Sequence, residues 1–169
     1  MENIFRNGHF IKKYRGEKAI TSVMEIPAEP VKSLFAQILD GTVESISEAD
    51  FDENLTKICD YSLYYLPNIQ TIKIPNQITN IGRYCLAECD SLKSVILGSG
   101  ITSIGEYFCQ NSSTLTTLTI FATTPPAAGP TLFSGVSTLE AIYVPSESVA
   151  TYKSATYWSN YADKIQAIV

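Results

Sequence analysis

Apolar residues recur along this chain with a period of 23 to 24 residues. The pattern is clearest in residues 78–100, and it returns in residues 55–77, 101–124 and 125–148. Three sets of positions keep the same phase in all four copies: Ile69, Leu92, Leu115 and Leu139; Ile72, Val95, Leu118 and Ile142; and Ile74, Leu97, Ile120 and Val144. This periodicity predicts an array of stacked repeats that share one apolar core.

Each copy divides into two halves. In the second half, as in residues 69–74, apolar and polar residues alternate, which predicts a short strand with one inward face. In the first half, as in residues 81–89, apolar residues are spaced by three and four, which predicts a short helical turn. Gly82 and Gly105 recur at one position, where the chain either turns or packs closely against its neighbour. Turns between the halves are predicted at Asn76, Asn80, Gly98 and Gly100.

The strand pattern separates inward from outward residues. In residues 78–100 the inward set is Ile81, Leu86, Leu92, Val95 and Leu97. Outward residues of stacked repeats should form two ladders: Thr71, Ser94, Thr117 and Ala141, and beside them Lys73, Ile96, Thr119 and Tyr143. These ladders are the surface on which we expect a partner to bind.

The segments before the repeats favour a capping role. Residues 30–40 have apolar side chains at helical spacing, Pro30 suits the first turn of a helix, and Gly41 suits its end. We expect this helix to cover one end of the core. Asn7-Gly8 fits either a hairpin or a terminal arm. In residues 42–54, Ser47 predicts a helix N-cap with acidic residues in the first turn, within a truncated repeat.

Residues 145–169 break the repeat. They predict a helix that begins at Ser146 as N-cap and has Val149, Tyr152 and Ala155 on its inner side, followed by a strand over residues 165–168. The aromatic residues Tyr157, Trp158 and Tyr161 fit the core of a cap better than a sugar-binding platform or another ligand patch.

The repeats resemble the BspA-type leucine-rich repeat family, whose unit is approximately I-G-x-x-A-F-x-x-C-x-x-L-x-x-L-x-L-P. The best match runs over residues 81–97, and the resemblance covers residues 43–169. Cys59 departs from it by replacing the glycine, and Phe108 and Cys109 by replacing the Ala-Phe pair. The family implies an α/β, right-handed solenoid of about four coils of 23–24 residues, each with a short strand and a short helical turn.

The resulting organisation is one continuous structural domain. Residues 1–54 are expected to form an N-terminal arm, a capping helix and a partial repeat. Residues 55–148 hold the leucine-rich repeats, and residues 149–169 form a C-terminal cap of helix and strand.

Composition narrows the function. With 169 residues, 45% of them hydrophobic and 17% charged, the chain fits one globular domain. The net charge of −5 argues against nucleic acid as the partner. No apolar run is long enough to span a membrane, and the first 20 residues lack the apolar core of a signal peptide.

The residues that carry chemistry are few. His9 is the single histidine, and the cysteines Cys59, Cys85, Cys89 and Cys109 form no Cys-x-x-Cys pair. A zinc site would need further ligands, so buried free thiols are favoured, with a Cys85–Cys109 disulfide as the alternative. No nucleophile–base arrangement or phosphate-binding loop is present. We therefore predict no cofactor, no metal and no enzymatic activity.

Two functions remain. The first is a protein-binding module, and the resemblance implies bacterial adhesion or recognition of a host protein at the cell surface. The residues expected to contact a protein or peptide partner are Thr71, Lys73, Ser94, Ile96, Thr117, Thr119, Phe121 and Tyr143. The alternative is a structural or assembly segment of a larger surface or particle protein.

Overall fold

Two parallel sheets organise the chain in a computed structural model, which describes residues 37–38 and 41–169. The six strands of the long sheet are, in spatial order, β1 (Ser45–Ile46), β3 (Thr71–Ile74), β5 (Ser94–Leu97), β7 (Thr117–Ile120), β8 (Ala141–Val144) and β9 (Ile165–Ala167). The three strands of the short sheet are β2 (Lys57–Ile58), β4 (Asn80–Ile81) and β6 (Ser103–Ile104). Parallel sheets with few helices fit a repeat solenoid.

The long sheet places the repeated apolar positions directly opposite one another. Ile72 pairs with Val95, Val95 with Leu118, and Leu118 with Ile142. All four are fully buried, because alternate side chains of a strand point to the same face. The predicted inward residues of repeat 78–100 are likewise buried: Ile81, Leu86, Leu92, Val95 and Leu97.

The short sheet was missed in the sequence. Asn80, which we predicted in a turn, lies in β4 and pairs with Lys57 on one side and Ser103 on the other. Two-residue strands are too short to show an alternating pattern, so only pairing between repeats reveals them. The Asn80 side-chain amide also donates to the Ser103 hydroxyl, which ties the neighbouring strands together.

The helical turn predicted in each repeat is wrong. Residues 83–88 form turns rather than a helix, because Tyr84 and Glu88 have left-handed backbone conformations (φ 53° and 59°) that a right-handed helix cannot include. The backbone amides reach across to the next repeat instead. Tyr84 donates to Glu106, Leu86 to Phe108, and Glu88 to Gln110.

The recurring glycines serve close packing between repeats. A Cβ atom on Gly105 would stand 2.5 Å from the backbone nitrogen of Arg83, nearer than any real Cβ contact, and one on Gly82 would collide with the backbone of Asp60. Neither glycine has a positive φ. Of the two alternatives left open by the sequence, close packing is therefore correct.

The carboxyl-terminal segment packs onto the last repeat. A short 3-10 turn, Ser146–Ser148, leads into the α-helix Val149–Ser154. Ser146 does not cap this helix as predicted, because the 3-10 turn intervenes and its hydroxyl donates to Glu147. Tyr152 is buried as predicted, and its hydroxyl donates to the Ala122 carbonyl (2.8 Å).

Aromatic residues complete this end of the core. Trp158 is buried and its ring N–H donates to the Pro126 carbonyl (2.8 Å). Tyr161 packs edge-on against Phe133, whereas Tyr157 is exposed. The interpretation of this segment as core is therefore correct for Trp158 and Tyr161, but not for Tyr157.

The predicted amino-terminal elements fall partly within the described residues. The predicted hairpin around Asn7-Gly8 lies outside the described residues, as does the helix over residues 30–40 except for Gln37 and Ile38, which are helical. Beyond it, Ser47 and Asp50 form the expected helix start around the 3-10 turn Glu48–Asp50. The Asp50 carboxylate accepts from the Ser47 amide (2.8 Å) and hydroxyl (2.9 Å).

Candidate interaction surfaces

The outward face of the long sheet carries the two predicted ladders in register. Across β3, β5, β7 and β8, the first ladder pairs Thr71, Ser94, Thr117 and Ala141. The second pairs Lys73, Ile96, Thr119 and Tyr143. Stacking has brought side chains that lie 23 or 24 positions apart into neighbouring rows.

The side chains of the two ladders differ in their exposure to solvent. Lys73 is exposed, and most of the remaining side chains are half-buried. Ala141 is buried, contrary to our expectation, because its single methyl group does not project beyond the surrounding chain. Phe121 directly follows β7 on the same face and is 46% exposed. The surface is thus mostly neutral, with Phe121 as its most exposed aromatic ring.

A polar hollow of about 290 Å³ lies near the amino-terminal end of the strands. Lys93 reaches the side-chain oxygen of Gln70 (2.8 Å), and the Gln70 amide donates to the carboxylate of Glu44. The side chains of Glu44, Gln70 and Lys93 therefore form a row that links neighbouring repeats and places charge at the margin of the sheet.

A second surface, which was not predicted from the sequence, is formed by tyrosines on the turns. Tyr61, Tyr84 and Tyr107 are 23 positions apart, and we call them the tyrosine ladder. The rings of Tyr61 and Tyr84 are parallel within 6°, with centroids 4.9 Å apart. Those of Tyr84 and Tyr107 are parallel within 10°, at 4.7 Å. The 23-residue spacing of tyrosines was the signal that could have revealed this stack.

These tyrosines occupy strained backbone positions. Tyr61, Tyr84 and Tyr107 have φ values of 57°, 53° and 59°, and Tyr65 has 56°. A left-handed conformation costs about 1–2 kcal/mol for a residue other than glycine, while an aromatic pair contributes about 0.5–1.5 kcal/mol. Stacking can offset the strain of the ladder tyrosines. It cannot do so for Tyr65, whose ring contact is with the tilted ring of Tyr64 at 6.3 Å.

Three of the tyrosines are strongly exposed side by side, and we call Tyr61, Tyr64 and Tyr65 the tyrosine cluster. Their exposed fractions are 48%, 38% and 55%. Tyr61 and Tyr64 meet edge to face at 5.7 Å. Partial burial and the nearby Glu88 carboxylate raise the pKa of Tyr64, and Asp60 precedes the cluster in the chain.

An open groove of about 720 Å³ crosses the short sheet. Its lining includes Gly82, Gly105 and Gly129, together with Tyr157. Arg83 and Glu106, an ion pair at 3.0 Å, also line it.

All four cysteines are free thiols, so the disulfide alternative is wrong. Cys85, Cys89 and Cys109 are buried, and burial raises the pKa of each, that of Cys89 to about 12. Cys59 is exposed, contrary to expectation, at the position that Gly82 and Gly105 occupy in the next two repeats. Within the described residues, no group of three His, Cys, Asp or Glu side chains could hold a metal ion.

The parallel sheets, the 23-residue register and the outward ladders define a repeat protein of the leucine-rich class. The family model of the BspA type leucine rich repeat region matches the chain in six copies, over residues 22–140 and 58–166. The chain belongs to this family, so the resemblance seen in the sequence is confirmed.

Three further findings accompany this match. Leucine-rich repeats of this kind are typically protein-interaction modules, and their fold is generally non-catalytic. A comparison with curated proteins gave no significant match. In the described part of the chain, no helix has the length and apolar character needed to cross a membrane.

Proposed function

We propose that this chain is a non-catalytic protein-binding module that recognises a protein or peptide partner through the outward face of the long sheet. The proposed contact residues are Thr71, Lys73, Ser94, Ile96, Thr117, Thr119, Phe121 and Tyr143. The observation that carries this proposal is the in-register pairing of outward side chains across four strands, beside the exposed ring of Phe121.

The chemistry of this face favours a protein partner. Seven of the eight side chains in its two ladders are neutral, and the one charge is Lys73. The buried centres of protein interfaces are likewise poor in charge. Phe121 and Tyr143 are the proposed anchors, because aromatic residues contribute disproportionately to binding energy. The more polar row of Glu44, Gln70 and Lys93 would then form the rim.

We further propose the architecture that presents this face. The chain would be a right-handed solenoid of about four full coils over residues 55–148, with an N-terminal cap and partial repeat in residues 1–54 and a C-terminal cap in residues 149–169. The partial repeat is supported by pairing of β1 with β3, and the C-terminal cap by pairing of β9 with β8. Together with the four strands of the full coils, these two outer strands bring the long sheet to six strands. The family model also matches six copies.

The biological role that we propose is bacterial adhesion, or recognition of a host or partner protein. The experiment is a binding assay of the purified chain against an array of extracellular-matrix proteins and glycans. Phe121→Ala and Tyr143→Ala variants are compared with Thr151→Ala, a control on the exposed side of the C-terminal helix.

The proposal predicts that a matrix protein is bound, and that both aromatic substitutions weaken this binding while Thr151→Ala does not. Binding that survives both substitutions would exclude the long-sheet face. Binding of glycans alone would exclude a protein partner.

The alternative is a structural or assembly segment of a larger surface or particle protein. It is favoured by β9, since within the described residues no strand pairs with its outer edge, and open strand edges can pair with another chain. Light scattering that gives a concentration-dependent mass would support assembly. A strict monomer over the same concentrations would count against it.

A further inference from the structure

The tyrosine cluster is not explained by the needs of the fold. The left-handed positions on the turns accept other residues in neighbouring repeats. The position of Tyr65 is filled by Glu88 and Asn111 in the next two repeats, and Gly135 has the same left-handed backbone in the fourth. Asparagine and glycine tolerate this conformation better than tyrosine does. The backbone therefore permits Tyr65 but does not require it.

Packing does not explain the cluster either. Tyr84 lies between two parallel rings, whereas Tyr61 has a stacking partner on one side and Tyr65 has none among the described residues. Tyr65 is nevertheless both strained and the most exposed of the three. The Tyr65 amide donates to the Ala87 carbonyl (3.0 Å), which holds this backbone conformation, but nothing in the described residues requires an exposed aromatic ring there. An exposed ring on a strained backbone points to a functional role.

The charges around the cluster indicate the chemistry of its partner. Residues 41–169 contain twelve acidic and six basic residues. Glu88 directly follows Ala87, whose carbonyl accepts a hydrogen bond from the Tyr65 amide (3.0 Å), and its carboxylate contributes to the raised pKa of Tyr64. Asp60 is exposed and precedes Tyr61 in the chain. The neighbouring cation, Arg83, is already paired with Glu106. The cluster thus combines aromatic rings with carboxylates, which suits a cation and disfavours a phosphate.

We propose that the tyrosine cluster is a second binding surface, which receives arginine or lysine side chains of a partner protein. The rings would contact the cationic groups by cation–π interaction, and the carboxylates of Asp60 and Glu88 would attract them. Arginine fits best, because its planar guanidinium both stacks on an aromatic ring and donates to a carboxylate. This surface is separate from the long-sheet face and can be tested without it.

The probe is a fluorescent, unstructured peptide of alternating arginine and glycine, with a glutamine–glycine peptide of equal length as control. Fluorescence anisotropy measures binding to the whole chain. We expect the arginine peptide to bind and the glutamine peptide to bind at least about tenfold more weakly. Binding should also fall when the salt is raised from about 50 to about 300 mM, because exposed charges are screened.

The decisive variant is Tyr61→Asn with Tyr65→Asn, which removes two rings but suits the left-handed backbone. It should weaken binding of the arginine peptide about tenfold or more. Tyr157→Asn is the matched control, since Tyr157 is also exposed (39%) and left-handed (φ 66°) but lies at the groove beside Gly129 and Pro130. The Tyr157→Asn variant should bind the arginine peptide as tightly as the unmodified chain does. The double variant Tyr61→Phe with Tyr65→Phe keeps the rings and should retain binding.

A third substitution keeps the test valid if the asparagine variant fails to fold, as judged by circular dichroism. Glu88→Gln preserves the hydrogen bond that this side chain accepts from Asn111 but removes its charge, and it should weaken binding about threefold. Equal binding of the arginine and glutamine peptides would overturn the proposal. Unchanged binding by a folded asparagine variant, or by Glu88→Gln in its place, would overturn it as well.

Discussion

The hydroxyl group of Ser112 joins two repeats inside the core by accepting a hydrogen bond from the backbone amide of Cys89 (3.1 Å). The same hydroxyl donates to the Leu86 carbonyl (2.7 Å), and Ser112 is fully buried. Ser62 is also fully buried, yet its hydroxyl has no hydrogen-bond partner among the described residues. These two serines provide a matched pair for measuring the contribution of a buried hydrogen bond.

We expect Ser112→Ala to lower the free energy of unfolding by about 1–3 kcal/mol, because it leaves buried backbone groups without their partner. Ser62→Ala should be neutral or stabilising, since it removes a buried hydroxyl that no group in the described part of the chain pairs with. Urea unfolding followed by circular dichroism measures both. Equal losses from the two substitutions would show that the hydrogen bonds of Ser112 contribute nothing specific.

Close packing at Gly105 leads to a second prediction. Gly105→Ala should lower the free energy of unfolding by about 1–3 kcal/mol, because the new methyl group forces neighbouring backbone apart. Cys59→Ala is the control at the equivalent position of the first repeat, where a side chain is already accommodated and exposed. Its expected effect is within about 0.5 kcal/mol. A neutral Gly105→Ala would contradict the packing described between Gly105 and Arg83.

Strain at Tyr84 predicts an unusual order of stabilities. Tyr84→Asn and Tyr84→Ala both remove the ring that stacks between Tyr61 and Tyr107. Asparagine should leave the protein more stable than alanine by roughly 1 kcal/mol, because it tolerates the left-handed backbone better. Thermal and urea unfolding of the two variants would reveal this difference. The reverse order would mean that the backbone changes conformation when the ring is removed.

The buried thiols predict a loss of stability in alkali. Burial raises the pKa of Cys89 to about 12 and raises those of Cys85 and Cys109, whereas a thiol in an unfolded chain has a pKa of about 8.5. The contribution of the thiols to the free energy of unfolding is complete below about pH 8.5. It falls as the pH rises towards the folded-state pKa, because the unfolded chain loses its thiol protons first. Within this range the free energy of unfolding should fall by up to about 1.4 kcal/mol per pH unit for each thiol.

Urea midpoints measured at increasing pH would test this prediction. The control is the triple variant Cys85→Ala, Cys89→Ala and Cys109→Ala, which should show a shallower pH dependence. Some dependence should remain at higher pH, since burial also raises the pKa of Tyr152. If the variant and the unmodified chain had the same slope, the thiols would not be its cause.

The repeats and their inward residues could be predicted from the sequence because they depend on local chemistry repeated at a constant interval. Val95 and Leu118 fall in the same phase, and burial of one requires burial of the other once the repeats stack. The same phase aligned the outward ladders, including Thr71 with Ser94. Their role in binding stays a prediction.

The turns were harder to predict, because their hydrogen bonds connect residues that are distant in the sequence. Spacing in residues 81–89 resembles that of a helix, but the amide of Leu86 donates to Phe108 rather than within its own segment. The same inter-repeat bonds hold Tyr84 in a left-handed conformation that no local propensity favours. The periodicity of the sequence does not show whether a backbone amide bonds within its own segment or to the next repeat.

By itself, the sequence determined the repeat, its period and the apolar side of each strand, because alternation of apolar and polar residues decides which face is buried. Tertiary structure alone decided how the repeats meet. It brought Gly105 against Arg83, stacked the three ladder tyrosines, and left Cys59 exposed while the other thiols were buried. These features depend on contacts between residues about 23 positions apart, where packing space and hydrogen-bond partners are set by the neighbouring repeat.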